Sequence, residues 1–361
     1  MSAPEKQLQD IVAQKSPYEE WQKTEGIPII RGHSIDDLKT AQLGPWARNG
    51  GRGAFVNFEG TELSADAYIC EIPPGGSLNP ERHMFEELIF VLQGRGATTI
   101  WTKDDRKQTF EWGEGSLFSP PLNVWHQIFN GQGNKPVRYI SITNAPLLIN
   151  LFHNMDFIFN CDYGFTDRYS GEDGYFSGKG KNYAERIWES NFIANVYDFK
   201  LQEWKQRGPG ANVMFEMANN TTAAHVSEFP VSSYKKAHRH ASTAHLIILG
   251  GQGYSLLWPD NGEWERVDWH KGSMFNNGHD RWFHQHFNTG REPARYLALH
   301  WQSRKFGTLS FSCSRRPLGW ISVKQGGAQI EYEDEDPRIR ELFARELAKV
   351  GLKPQMPEIK T

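Results

Sequence analysis

Cysteine is scarce. The 361 residues contain three, Cys70, Cys161 and Cys313, odd in number and far apart. That spacing gives neither a disulfide framework nor a thiolate zinc site. No run reaches the ~18 consecutive apolar residues of a membrane-spanning helix, and Met1 to Lys15 lacks the apolar centre of a secretory signal. An excess of one charge is missing too: 40 Lys and Arg stand against 43 Asp and Glu, with no basic stripe, which argues against a nucleic-acid partner. These absences describe a soluble protein, expected in a reducing cytoplasm, with neither membrane nor nucleic acid among its partners.

Aromatic residues, by contrast, are plentiful, with 22 Phe, 13 Trp and 12 Tyr. They suit strands and the walls of a cavity. At roughly 150 residues per domain the length implies two domains, and an internal repeat says the same. Glu71-Ile72-Pro73 recurs as Glu228-Phe229-Pro230, Arg82-His83 as Arg239-His240, and Gly94-Arg95-Gly96 as Gly251-Gln252-Gly253. Trp101 and Trp112 recur as Trp258 and Trp269, and Gly115 to Phe118 as Gly272 to Phe275, all at an offset of 157. His126 to Asn130 then recurs as His284 to Asn288 at 158. Two unrelated segments would not keep this register.

Each copy consists of short strand-like runs punctuated by Gly and Pro, the pattern of an all-β sandwich or barrel. The expected organisation is all-β with peripheral helices: an arm at 1–60, a first barrel at 61–150, a connector at 151–210, a second barrel at 211–305 and a C-terminal extension at 306–361. Helices are expected near Glu5 to Ala13, over Tyr183 to Phe192, and after Asp336-Pro337, which form an N-cap and first helical residue, with Gly351 as the stop. Ser170 to Lys181 reads as a loop.

His238 and His240 project from one face of an extended segment, and a returning strand can bring His284 beside them. Three imidazoles suit Fe, Zn, Cu or Ni better than Mg or Ca and leave open positions for further ligands. In the first copy His83, Glu87 and His126, with Glu81 or Glu86 assisting, form a possible second metal site. A barrel that has lost its metal and only supports the other is the alternative. His286 shares a face with His284 by alternation and is a candidate hydrogen-bond donor to substrate. Arg281 is a candidate partner for a substrate carboxylate. Gln252, Trp258, Asn276 and Trp282 are candidate substrate-binding residues, with Asn277 close by. Phe275 and Trp301 join Trp258 and Trp282 as aromatics able to sandwich a ring.

The stretch from Pro73 to Gly94 with His83 and Glu87 resembles the first cupin motif, and Gly113 to Asn130 with Pro120 and His126 resembles the second. His238-Arg239-His240 and Gly272 to Asn288 resemble the same pair, so the chain resembles a bicupin, two double-stranded β-helix barrels in tandem. In cupins two histidines and a glutamate of the first motif and one histidine of the second bind a metal. Glu81 stands at the first histidine position of copy one, and Ala244 at the glutamate position of copy two. His245, one residue on, is expected to face the other way. His238-Arg239-His240 followed by Ala244 resembles the metal motif of the gentisate, salicylate and hydroxynaphthoate ring-cleaving dioxygenases. That resemblance implies Fe(II), O₂ and a small anionic hydroxy-aromatic carboxylate. Mn, Zn, Ni and Cu are the other metals such a site accepts. A redox-neutral decarboxylase, isomerase or hydrolase using Mn or Zn, and a non-enzymatic ligand-binding cupin, remain the alternatives. A homo-oligomer is expected, because barrel sheets have edges and apolar faces that need cover.

Overall fold

The computed structural model describes residues 15–356 except 62–64, 105, 184–185, 241–243, 280, 301–302 and 307–319. The chain is mainly β, arranged as two barrels. Among the described residues an eight-stranded sheet faces a three-stranded sheet in the first barrel, and a nine-stranded sheet faces another of three in the second. The strands Glu87–Gln93 and Ala244–Gly250 are apolar nearly throughout and buried on both sides. One side lines its own barrel and the other meets the neighbouring barrel, so an unbroken apolar run is needed rather than an alternation. Lys107–Gly113, on a small sheet, alternates between covered and exposed residues. One core cluster joins the two large sheets: Val56, Phe58, Leu88 and Phe90 from the first pack with Phe215, Val226, Ile247 and Leu299 from the second.

The repeated glycines have separate reasons. Gly94 and Gly251 adopt φ of 90° and 81°, which a side chain disfavours. A Cβ on Gly96 or Gly253 would overlap the carbonyl oxygen of Phe129 or Phe287 on the neighbouring strand and crowd Trp112 or Trp269.

The expected arm at 1–60 already contributes to the first sheet through Ile29–Gly32, Gly44–Trp46 and Gly51–Phe58. Ser34–Ile35 then pairs with Phe275 and Met274 of the second barrel. The connector mirrors this. Ile187–Glu189 pairs in parallel with Met214 to Glu216 of the second barrel, while Phe192–Ile193 pairs with Phe118 and Leu117 of the first. The helix expected over Tyr183 to Phe192 is therefore absent from its described residues. Sheet edges that need hydrogen-bond partners take this segment as strand, overriding its local helical pattern. The helix expected at Glu5 to Ala13 lies outside the described residues. A short helix follows it at Pro17–Glu25, closed by a Ser16–Glu19 capping box.

At the C-terminus Pro337–Lys349 is helical, with Asp336 as N-cap and Gly351 at φ 73° just beyond its end. Its stripe of Ile339, Phe343 and Leu347 covers Tyr254, Leu256, Trp258, Phe283 and Phe287 on the outer face of the second barrel's small sheet. Cys70 and Cys161 are free thiols. No described helix is long and apolar enough to cross a membrane.

Gly253→Ala is expected to destabilise the protein by about 1–3 kcal/mol, the usual cost of overpacking a filled site. Gly250→Ala, whose Cβ would meet nothing within 4 Å, should be close to neutral. Urea denaturation of the two variants reads the difference, and equal midpoints would contradict the close-approach argument.

Candidate metal centres

In the second barrel the segment that carries His238 lies along Phe283–Asn288. His238 N donates to His284 O (3.1 Å) and His284 N to His238 O (2.9 Å). This bridge sets the two rings against each other, with Nε2 atoms 2.9 Å apart. His240 brings its ring within 4.9 Å of His284, and one donor atom from each of the three lies within 4.8 Å of the others. His238 Nδ1 meets Lys236 O at 3.1 Å and His284 Nδ1 meets Trp282 O at 3.4 Å. A carbonyl only accepts, so these contacts assign the ring protons to Nδ1 and leave both Nε2 lone pairs facing inward. Asn277 agrees: its Oδ1 accepts from Ala244 N (2.8 Å), which turns its amide nitrogen towards His240 Nε2 (3.2 Å) and His284 Nε2 (3.4 Å). Burial first, then nearby cations and neighbouring imidazoles, hold His238 and His284 well below the ordinary histidine value. Converging lone pairs on buried neutral rings are a donor set for a borderline transition ion, and the arrangement fits one.

His286 is buried one residue pair further along the same strand face, 5.6 Å from the His284 ring. Its Nδ1 meets Ser255 Oγ at 2.8 Å, and Ser255 Oγ accepts from Trp269 Nε1 at 3.0 Å. The first copy keeps Trp112 Nε1 to Thr98 Oγ1 (2.9 Å) but has Ile128 where the second has His286.

Several expected substrate contacts fall elsewhere. Trp258 is on the outer face of its strand, stacked on Phe283 (5.8 Å) in the cluster under the C-terminal helix. Leu257 is the residue opposite His284, so its neighbour must point away. Gln252 is exposed at the far end of that strand, five residues from Leu257, about 17 Å along it. Asn276 turns away and donates to Glu59 O; Asn277 takes the position expected of it. Arg281 is an exposed turn residue with φ 64°. Trp282 packs against the inner cluster and supplies the carbonyl for His284. Phe275 is on the inner side, 5.9 Å from His286. Trp301 lies outside the described residues. His245 faces the first barrel, stacked on Phe58 at 5.7 Å.

The first barrel repeats the bridge with different chemistry: Glu81 N donates to His126 O and His126 N to Glu81 O, at 3.0 and 2.9 Å. His83 Nε2 is 3.4 Å and His126 Nε2 3.8 Å from Glu87 Oε2. Glu87 Oε2 and His126 Nε2 are buried with no hydrogen-bond partner among the described residues. Such orphaned acceptors fit a bound cation, here with a two-histidine, one-carboxylate donor set. Glu81 Oε1 stands 4.0 Å from His126, while its other oxygen pairs with Arg48 at 2.5 Å. Burial opposes ionisation of Glu87, yet the proximity of His83, followed by His126 and the Tyr68 hydroxyl, brings its pKa down to about 2. Glu86 is not in the cluster; its carboxylate accepts from Thr221 N, Thr222 N and Arg168. The cavity beside the cluster, roofed by Tyr18 and Trp21 of the N-terminal helix, is only about 10 Å³, room for about one water.

Two cations near the second centre escaped the sequence reading. Lys235 is buried; its Nζ has no hydrogen-bond partner among the described residues and stands 5.5 Å from the centre of the Phe229 ring. Arg207, whose carbonyl accepts from Lys236 N at 2.9 Å, lowers the pKa of His238, His284 and His286. The repeat held a signal for Lys235: its counterpart is Leu78, a core residue of the first barrel.

Residues 68–143 match the family model described as Cupin domain. No curated protein matches the chain. Among solved structures it is similar to a deletion mutant of Bacillus subtilis oxalate decarboxylase, at 13% identity over 76% of this chain and 78% of that one, with a TM-score of 0.50. A structure of the same enzyme directed at its Mn(II) centres gives 13%, 76%, 78% and 0.51. A structure directed at the substrate binding mode of oxalate decarboxylase gives 13%, 76%, 78% and 0.50. At that identity the likeness speaks for the fold, and the chain has the bicupin fold.

When the protein is loaded with Mn(II) or Fe(II), His240→Ala and His126→Ala should each lose one equivalent of metal, with the circular dichroism of both unchanged. Elemental analysis measures this. Full stoichiometry in either variant removes that cluster from consideration.

Proposed function

We propose that this protein is a metal-dependent bicupin enzyme whose reaction takes place at His238, His240 and His284, on a small anionic carboxylate. The observation that carries the reading is the electrostatics of the second barrel. Two of its inward donors, His238 and His284, are held well below the ordinary histidine value by burial, with the Arg207 charge among the further causes, and Lys235 adds a second cation beside His286. Where the first barrel has Glu81 and Glu87, the second has His238 and Ala244. A divalent ion held there keeps its full charge, which favours an anionic ligand. The first centre has carboxylates of its own and a cavity of only about 10 Å³, which supports a structural role for it.

A bound divalent ion would supply Lewis acidity towards a coordinated carboxylate. The chain's own residues do the rest. Arg207 and Lys235 draw in and orient the anion, and Asn277 holds its amide N–H against the ligand edges. Ser255 accepts from Trp269, donates to His286 Nδ1, and so holds the His286 proton on Nε2, from which it can offer a hydrogen bond to a bound group.

The redox-neutral reading, with Mn as the first metal to try, is preferred over ring cleavage. Bacillus subtilis oxalate decarboxylase, with its Mn(II) centres, has this fold, and Trp258, expected to help sandwich a ring, and Gln252, expected to bind substrate, are elsewhere. The second reading, an Fe(II) dioxygenase, is favoured by Ala244, which leaves three neutral ligands. The test is to load the metal-free protein with Mn(II) or Fe(II) and present small dicarboxylates, hydroxy acids and hydroxybenzoates, following CO₂ release and O₂ uptake. Turnover of a small carboxylate without stoichiometric O₂ consumption is expected. Fe-specific, O₂-dependent loss of ring absorbance would establish the second reading instead, and tight binding of neutral ligands alone would sink both.

Lys235 offers a check that needs no substrate. Burial, then repulsion from Arg207 and Arg186, pushes its pKa from 10.5 down to about 7. In the unfolded chain the amine stays protonated up to about pH 10.5, whereas in the fold it does so only to about 7. The cost of holding it is therefore complete at and below pH 7 and fades as pH rises to 10.5. Lys235→Met should melt several degrees higher than the wild type at pH 6–7, converge with it near pH 10.5, and lose affinity for the anion. A melting difference independent of pH would contradict this account.

A further inference from the structure

A third cluster of donors lies on the surface, away from both barrel interiors. His33 sits where the N-terminal arm leaves the first barrel's sheet at Gly32 and joins the second barrel's at Ser34. His33 Nε2 is 3.3 Å from Glu59 Oε2 and 3.5 Å from Glu265 Oε2. The His279 ring stands 5.8 Å from the His33 ring at 76°. One donor atom each from His33, Glu59 and His279 lies within 4.8 Å of the others. Backbone contacts fix all three. Asn276 N donates to His33 O (3.1 Å) and Asn276 Nδ2 to Glu59 O, while Glu59 N donates to Gly32 O (3.1 Å). Gly60 packs so closely that a Cβ there would come within 2.7 Å of His279 Cα.

We propose that His33, Glu59 and His279, with Glu265 beside them, form a Zn(II) site that fastens the described turn residues 277–279 and 281–282 to the N-terminal arm. Two imidazoles and one or two carboxylates at this separation are a tetrahedral zinc donor set. The carboxylates are half-exposed, at 54% and 47%, so the ion enters from solvent without opening the fold. The turn it grips carries two groups of the three-histidine centre: Asn277, whose amide meets His240 and His284, and Trp282, whose carbonyl meets His284 Nδ1. His279 O accepts from Trp282 N (3.1 Å), and the two rings are 4.9 Å apart. Zinc at the surface thus rigidifies the turn that orients the interior ligands, and its affinity and theirs are linked.

The test starts from protein already loaded with Mn(II), titrated with Zn(II) by calorimetry while retained manganese is measured. One added zinc equivalent is expected without loss of manganese. It should disappear in His279→Ala, weaken at least tenfold in Glu59→Gln, and persist in His240→Ala. Hydrogen exchange at 277–283 should slow on zinc addition in the wild type and not in His279→Ala. Glu59→Gln changes a single exposed side chain and so reads the site even if His279→Ala folds poorly. Zinc that binds equally in Glu59→Gln and wild type, or that merely displaces manganese one for one, overturns the proposal and leaves a surface ion pair between His33 and its carboxylates.

Discussion

Two unprotonated imidazole nitrogens held 2.9 Å apart in a protein interior repel each other unless something positive stands between them. The second barrel imposes that arrangement on itself. The paired hydrogen bonds between His238 and His284 bring the rings together edge-on, and carbonyls of Lys236 and Trp282 keep the ring protons on the far side. Burial then removes the usual escape, protonation, by making a charged ring costly. What remains is a donor set predisposed to take up a cation, with backbone geometry rather than side-chain flexibility fixing where it goes.

The two copies show how little of this depends on the barrel and how much on which residue occupies each position. The same bridge is built from Glu81 and His126 in one copy and from His238 and His284 in the other. In the first, Arg48 pairs with Glu81 and Tyr68 hydrogen-bonds Glu87, which leaves two buried carboxylates beside the histidines. In the second, the Asn277 amide lies beside the imidazoles and the buried Lys235 stands where the first copy has Leu78. One scaffold thus carries a donor set that brings its own negative charge and one that does not.

The repeat of barrels was legible because its register holds along both copies, and the grouping of His238, His240 and His284 because i, i+2 spacing puts the first two on one face; the same register pointed to His83, Glu87 and His126 as a possible second cluster. Residues whose placement depends on strand pairing were not. Trp258 sits one residue from the position facing His284, and only the pairing of Leu257 with His284 shows that its ring points outward. Gln252 is on the right strand at the wrong end. Lys235 was passed over because lysine is ordinarily a surface residue. The supposed helix at 183–192 illustrates the same limit, since its strands exist only through partners in both barrels.

The arms that cross between barrels have one more consequence. Ser34–Ile35 reaches from the first repeat to the second, and Phe192–Ile193 reaches from the second repeat to the first, and each lands on the equivalent strand of the other half. This is the exchange of identical elements that defines a domain-swapped dimer with two-fold symmetry, here closed within one polypeptide. A swap of that kind is self-saturating: each half has given its arm and received one. The covalent join therefore makes permanent a partnership that two separate copies would have to maintain by concentration, so the effective molarity of one barrel for the other no longer depends on how much protein the cell makes.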